Sequence, residues 1–225
     1  GLWGDATFDL YLRDLPAHYG FVVAAGLQPL LQSLENYQLS EAAIENLKKN
    51  PVFSHIKASY FDYLKRLRFL GEVWAVPEGS VVFPGEPILR MTAPLMICTL
   101  LETLVVQSLT LSSGVATCAA RLQLAAEGKP IMDFGSRRWP DPLAAALAAR
   151  AAYIGGVSST TNAEAGLKYG IPVMGTMPDT FLAAYGDDPM AIMAFRRHFP
   201  GICHLSVGNE NIGSTLDRYR VFAKE

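Results

Sequence analysis

A chain of 225 residues, half of them hydrophobic and 18% charged, is long enough to bury a core and too apolar to be disordered. Nineteen basic residues against 21 acidic ones leave a formal charge of -2, which gives no general electrostatic reason to expect nucleic acid or an anionic membrane; a local anion site stays open. Three widely spaced cysteines, Cys98, Cys118 and Cys203, form no CxxC pair, support neither a zinc site nor a disulfide framework, and fit a reducing, cytoplasmic setting.

The opening GLWGDATFDL lacks a basic segment followed by an apolar core, so no signal peptide is expected; with no initial methionine the chain reads as a processed or partial product. Residues 7–13 alternate through Phe8, Leu10 and Leu12 and predict a strand. AGLQPLLQSLENY predicts a helix, Ser40 caps a second, and YFDYLKRLRFLG is a third, closed by Gly71. GEVWAVPEGSVVFPGEPILRM then has short β-rich runs with prolines at their boundaries, as in a small sheet. Two helices follow, around 95–111 and 114–127. Their apolar stretch is interrupted by Glu102, Gln107 and a run of serines, which favours a buried helix pair over a membrane span.

From Lys129 strands and helices alternate. IMDFG predicts a strand, PLAAALAARAA a helix, YIGGV another strand, and a helix starts near Asn162. IPVMGT is the next strand, DPMAIMAFRRHF the next helix, ICHLSV the last strand, and GNENIGSTLDRYRVFAKE reads as a loop with a short helix. The expected organisation is therefore α/β: an α+β domain over 1–128 and part of a parallel α/β barrel over 129–225, with too few strands to close eight.

Three strand ends could carry chemistry. MDFGSRRW places Arg137 and Arg138 beyond a strand, where α/β folds put ligands, with Phe134 as an apolar wall. The alternative is that one arginine pairs with Asp133 or Asp141. GGVSSTTN could cradle an anion through backbone donors and hydroxyls, or could be a plain turn capped by a hydroxyl or Asn162; it lacks a P-loop lysine and a dinucleotide fingerprint. GTMPDT repeats the arrangement, with Asp179 either a ligand carboxylate or a helix N-cap before FLAAY. His18, His55, His198 and His204 show no metal-ligand spacing.

The joint occurrence of YFDYLKRLRFLGEVWAVPEGSVVFPGEPILRM, LLET, MDFGSRR, ARAAYIGGVSSTTN and AGLKYGIPVMGTM resembles the nicotinate phosphoribosyltransferase family, from about Phe8 to Asp179. The resemblance implies an N-terminal α+β domain and an irregular type II phosphoribosyltransferase barrel, usually dimeric with sites shared between subunits. It implies transfer of phosphoribosyl from phosphoribosyl pyrophosphate, with Mg²⁺, to nicotinate or a related pyridine acid in NAD synthesis. Carried over, Phe134 packs on the pyridine ring, and Arg137 and Arg138 hold the carboxylate or phosphate side of the substrates. Ser159, Thr160, Thr161 and Thr176 complete the substrate set. A hydroxyl at Thr161, near the place of a discriminating aspartate in amide-preferring relatives, is compatible with an acid substrate.

Arg137 and Asp179 take the catalytic positions, and no side chain is assigned to a metal. The family's GTMAH histidine, which takes a phosphoryl group from ATP, is replaced by Asp179 after Pro178, so ATP coupling by that route is expected to be lost. The family's tyrosine-bearing leading segment, its later barrel strands and its acidic loop are not found in this chain; a second copy or a partner chain is expected to complete the barrel. The alternative expectation is a non-catalytic relative acting as a ligand-binding or protein-interaction subunit.

Overall fold

The computed structural model describes residues 4–186, 188–201, 204 and 212–220. The chain divides into two compact units, Gly1–Pro172 and Val173–Glu225.

The first unit opens with β1 (Asp5–Tyr11) and β2 (Val22–Val23), followed by α1 (Leu27–Glu35), α2 (Glu41–Lys49) and α3 (Ala58–Arg66). Strands β3 (Glu72–Ala75), β4 (Val81–Val82) and β5 (Pro87–Pro94) come next. β5 is the centre of an antiparallel sheet ordered β1-β5-β3, in which Asp9, Arg90 and Trp74 lie in one cross-strand row. Prolines mark the first and last residues of β5, where they cost no central ladder bond. Ile88, Leu89, Met91 and Ala93 are buried, and with Leu30, Leu34, Phe61 and Leu64 of the helices they form the main core.

Ser40 caps α2 as expected, its hydroxyl accepting from the Ala43 amide at 3.1 Å. The third helix is shorter than its sequence suggests. It stops at Arg66, because Leu67 turns extended and is buried in the core, and Gly71 instead leads into β3.

α4 (Leu95–Ala125) is one helix of 31 residues, not two. Its polar interruption is explained by a partner distant in sequence. The Thr117 hydroxyl accepts from the Val23 amide at 2.9 Å, and the Ser113 hydroxyl accepts from the Ala25 amide at 3.1 Å. These side chains satisfy the backbone around β2, and the helix runs straight through them. α4 is long and apolar enough to cross a membrane by length and composition; one side of it packs on β1, β2, β5, α1 and α5.

β6 (Met132–Asp133), α5 (Pro142–Ile154) and β7 (Ser159–Thr160) form a strand–helix–strand unit, with Met132 opposite Ser159 and Asp133 opposite Thr160 in parallel register. The expected strand YIGGV is instead the end of α5 and its cap. Gly155 ends the helix, and a Cβ there would collide with the Ala116 carbonyl of α4. α6 (Ala163–Tyr169) follows. The run IPVMGT forms no strand, only an isolated bridge at Val173. Mixed sheets and helices give an α/β arrangement, and among the described residues no closed barrel forms.

One carboxylate ties this unit together. Glu78, between β3 and β4, accepts from the amides of Gly26 (2.6 Å) and Leu27 (3.1 Å) at the start of α1, which has no side-chain cap of its own. Its other oxygen meets Arg150 of α5 at 2.6 Å. Gly26 has φ 100°, and a Cβ there would sit 2.5 Å from the Ser108 carbonyl, so the approach of α1 to α4 requires glycine.

The second unit holds α7 (Asp179–Tyr185), α8 (Asp188–His198) and α9 (Ile212–Tyr219), with Met177, Ile192, Phe195 and Tyr219 buried together. The expected strand ICHLSV lies outside the described residues apart from His204, whose carbonyl accepts from the Met177 amide at 3.1 Å.

Candidate functional site

The parallel register of β6 and β7 brings two of the three expected strand ends side by side. Asp133 is the last residue of β6, and both its oxygens are engaged. Oδ1 accepts from the Gly135 amide at 2.7 Å, and Oδ2 accepts from the Thr160 hydroxyl at 2.8 Å. The Thr160 oxygen in turn accepts from the Asn162 amide at 3.1 Å. Asn162 donates through Nδ2 to the Ser136 hydroxyl at 3.2 Å and caps α6 by accepting from the Ala165 amide at 2.8 Å. The Thr161 amide donates to the Asp133 carbonyl at 3.0 Å.

This chain of bonds closes on the turn Gly135–Arg138, a single 3-10 turn that carries both arginines. Neither arginine pairs with Asp133 or Asp141. Asp133 is occupied as described, and Asp141 caps α5 by accepting from the Ala144 amide at 2.9 Å. Arg137 and Arg138 are exposed, and among the described residues no ion pair or side-chain hydrogen bond holds either guanidinium. Phe134, at the head of the turn, is 47% exposed. It lines an almost wholly apolar groove of about 390 Å³ with Trp139, Ile131, Val157 and, from α4, Cys118 and Leu122. That volume suits a small planar ligand.

The hydroxyl residues differ in access. Ser159 and Thr160 are buried, Thr161 is half-buried, and Ser159 Oγ has no hydrogen-bond partner among the described residues. Thr176 and Asp179 belong to the second unit, and both are exposed. Asp179 is not the N-cap of α7; Pro178 holds that position and Asp179 is the first helical residue, where the helix dipole favours a carboxylate. Asn162 as cap of α6 was legible from sequence. The Asp133–Thr160 bond and the contribution of Trp139 and Cys118 to the groove were not, since they depend on packing between separated segments. The Asp-x-Gly spacing at Asp133 was the one local signal of the turn.

Cys98 is buried, and burial pushes its thiol up; Cys118 is exposed, and both are free thiols. Cys203 lies outside the described residues. Among the described residues no three His, Cys, Asp or Glu side chains gather as a metal-ligand set.

Residues 4–110 match the family model for the nicotinate phosphoribosyltransferase N-terminal domain. Over 197 residues the chain is 38% identical to nicotinate phosphoribosyltransferase pncB2 of Mycobacterium tuberculosis, covering 88% of this chain and 42% of that protein. The chain belongs to the nicotinate phosphoribosyltransferase family. A Caenorhabditis elegans nicotinate phosphoribosyltransferase is 37% identical over 182 residues, 80% of this chain and 32% of its own. Among solved structures, human nicotinic acid phosphoribosyltransferase superposes with a TM-score of 0.74 at 35% identity, covering 80% of this chain and 36% of the human one. Nicotinate-nucleotide pyrophosphorylase from Pyrococcus furiosus gives a TM-score of 0.66 at 25% identity, covering 88% of this chain and 42% of that one. This member of the family thus spans between 32% and 42% of the length of these relatives.

Proposed function

We propose that this chain carries the pyridine-acid side of a phosphoribosyl-transfer site, joining nicotinate or a related pyridine acid to phosphoribosyl pyrophosphate in NAD synthesis. The observation that carries the reading is the pair of exposed arginines on the Gly135–Arg138 turn, whose neighbouring carboxylates are both engaged elsewhere. An unneutralised guanidinium suits a carboxylate through parallel donors, and Phe134 beside it offers an apolar face for the ring.

In the proposed reaction the pyridine nitrogen bonds to ribose C1 as the C1–oxygen bond to pyrophosphate breaks, and the electron pair leaves with pyrophosphate. Positive character grows on the ribose and negative charge on the leaving group. The chemistry therefore calls for fixed cations and backbone donors and for no covalent nucleophile. Arg137 is assigned to the substrate carboxylate, with Arg138 adding charge for the carboxylate or phosphate side. Thr161 is assigned to the edge of the ring, with Ser159 and Thr160 behind it. Mg²⁺ is assigned to the phosphoribosyl pyrophosphate itself, whose phosphate oxygens are hard ligands suited to it.

Thr176 and Asp179 enter this reading by sequence correspondence. With Asp179 in the place of a phosphate-accepting imidazole, the transfer is proposed to run without ATP coupling. The division into an α+β domain, 1–128, and a partial barrel, 129–225, is kept as part of the same proposal. So is completion of the site by a second copy or a partner chain.

The test is pyrophosphate release on mixing the protein with nicotinate, phosphoribosyl pyrophosphate and Mg²⁺ in the absence of ATP. Nicotinate-dependent release, abolished in Arg137→Ala, is the expected result. Binding of nicotinate with no release would instead favour a ligand-binding subunit, and no binding of either substrate would end the proposal.

A further inference from the structure

We infer that Asp133 is a positioning residue. Through Thr160 and Asn162 it fixes the turn bearing Arg137 and Arg138, so that the two guanidiniums meet an anionic ligand already oriented; the inference rests on the function proposed above. Three features of the geometry point to it. First, the Asp133 carboxylate lies four residues before Arg137, yet it accepts from two neutral donors, the Gly135 amide and the Thr160 hydroxyl, and from neither arginine. Second, the Thr160 hydroxyl acts in both directions, donating to Asp133 while accepting from the Asn162 amide. Third, the Asn162 side chain returns to Ser136, inside the turn itself, at 3.2 Å.

The turn is thus held at two points, Gly135 and Ser136, by residues on β6 and just beyond β7. The turn also packs against α5, but among the described residues these are the side-chain hydrogen bonds that reach Gly135 and Ser136. Thr160 is 1% exposed, so bulk solvent has little access to its hydroxyl.

The charge of Asp133 makes the inference sharply testable. A carboxylate close to an anion site repels the anion, so neutralising it would tighten binding if charge were its main effect. If position is its main effect, neutralising it weakens binding. In Asp133→Asn one acceptor oxygen remains for two donors, and the new amide N–H faces a group that already donates. The single carbonyl can serve the Gly135 amide or the Thr160 hydroxyl, so either the anchor at Gly135 or the link through Thr160 to Asn162 is lost.

The experiment is calorimetric titration of nicotinate into the wild-type protein, Asp133→Asn, Thr160→Val, Thr160→Ser and Ser40→Ala, each at a temperature where circular dichroism shows it fully folded. Asp133→Asn and Thr160→Val are expected to bind about tenfold more weakly. Thr160→Ser, which keeps the hydroxyl, is expected to bind like the wild type. Ser40→Ala, which removes a helix cap on α2, is expected to lower the melting temperature and leave the dissociation constant unchanged.

Equal or tighter binding by Asp133→Asn would overturn the inference, and so would weakening by Thr160→Ser as large as that by Thr160→Val. If Asp133→Asn does not fold, Thr160→Val and Ser136→Ala decide alone, both being expected to weaken binding. If the wild type itself binds no nicotinate, the proposed function fails first, a result distinct from wild-type binding that the variants leave untouched.

Discussion

At Glu78 burial alone would raise the carboxyl, but the hydrogen bond from Arg150 and the amide of Gly26 outweigh it, so its pKa lies below the ordinary value. A carboxyl held lower in the folded than in the unfolded chain contributes stability that is present above its unfolded pKa. That contribution is lost as the pH falls through the folded one. The melting temperature is therefore expected to fall on acidification below about pH 4, and the part due to this pair should vanish in Glu78→Gln. At neutral pH the same substitution leaves the nearly buried Arg150 without its charged partner, with Gln28 still accepting from it, and is expected to cost about 3 kcal/mol, read from urea denaturation. Ser159 predicts the opposite sign. The residue is 2% exposed and its hydroxyl has no partner among the described residues, so Ser159→Ala should leave the melting temperature unchanged or raise it.

At the scale of elements, the hydrophobic period of α1, the Ser40 cap of α2, the small-residue run of α5 and the alternation of β1 were legible, because each is a local signal. α4 was misread as two helices because Ser112, Ser113 and Gly114 look like a break. The hydroxyls of Ser113 and Thr117 answer backbone groups 88 and 94 residues away, a relation no local pattern encodes. Thr117→Val removes the acceptor of the buried Val23 amide and should cost about 1–3 kcal/mol. Gly114, by contrast, is helical with open space at its Cβ, so Gly114→Ala should stabilise the protein by about 1 kcal/mol; both are read as shifts in a denaturant midpoint. The pair of glycines after α5 misled in a similar way. YIGGV has the composition of a buried strand, but the tight approach of Gly155 to α4 makes it a helix end.

At the scale of the whole chain, the family was legible because several motifs occur jointly, from YFDYLKRLRFLG, which begins in α3, and LLET in α4 to MDFGSRR and GGVSSTTN at the ends of β6 and β7. The candidate site was legible in part. Phe134, Arg137 and Arg138 stand on one turn, as the motif MDFGSRR suggested, while the network beneath them needed the pairing of β6 with β7. The described residues form one parallel strand pair and no closed barrel. A site of this kind is proposed to be completed by a second chain, and sedimentation of the isolated protein is expected to give a mass above that of one copy.

The most direct measurement is a calorimetric titration of nicotinate into the wild-type protein and Arg137→Ala. A saturable isotherm for the wild type, with affinity lowered about tenfold or more in the variant, is the predicted result for a charge-assisted contact to the carboxylate. Wild-type binding that Arg137→Ala leaves unchanged, or no binding at all, would contradict the assignment of this turn to a pyridine acid.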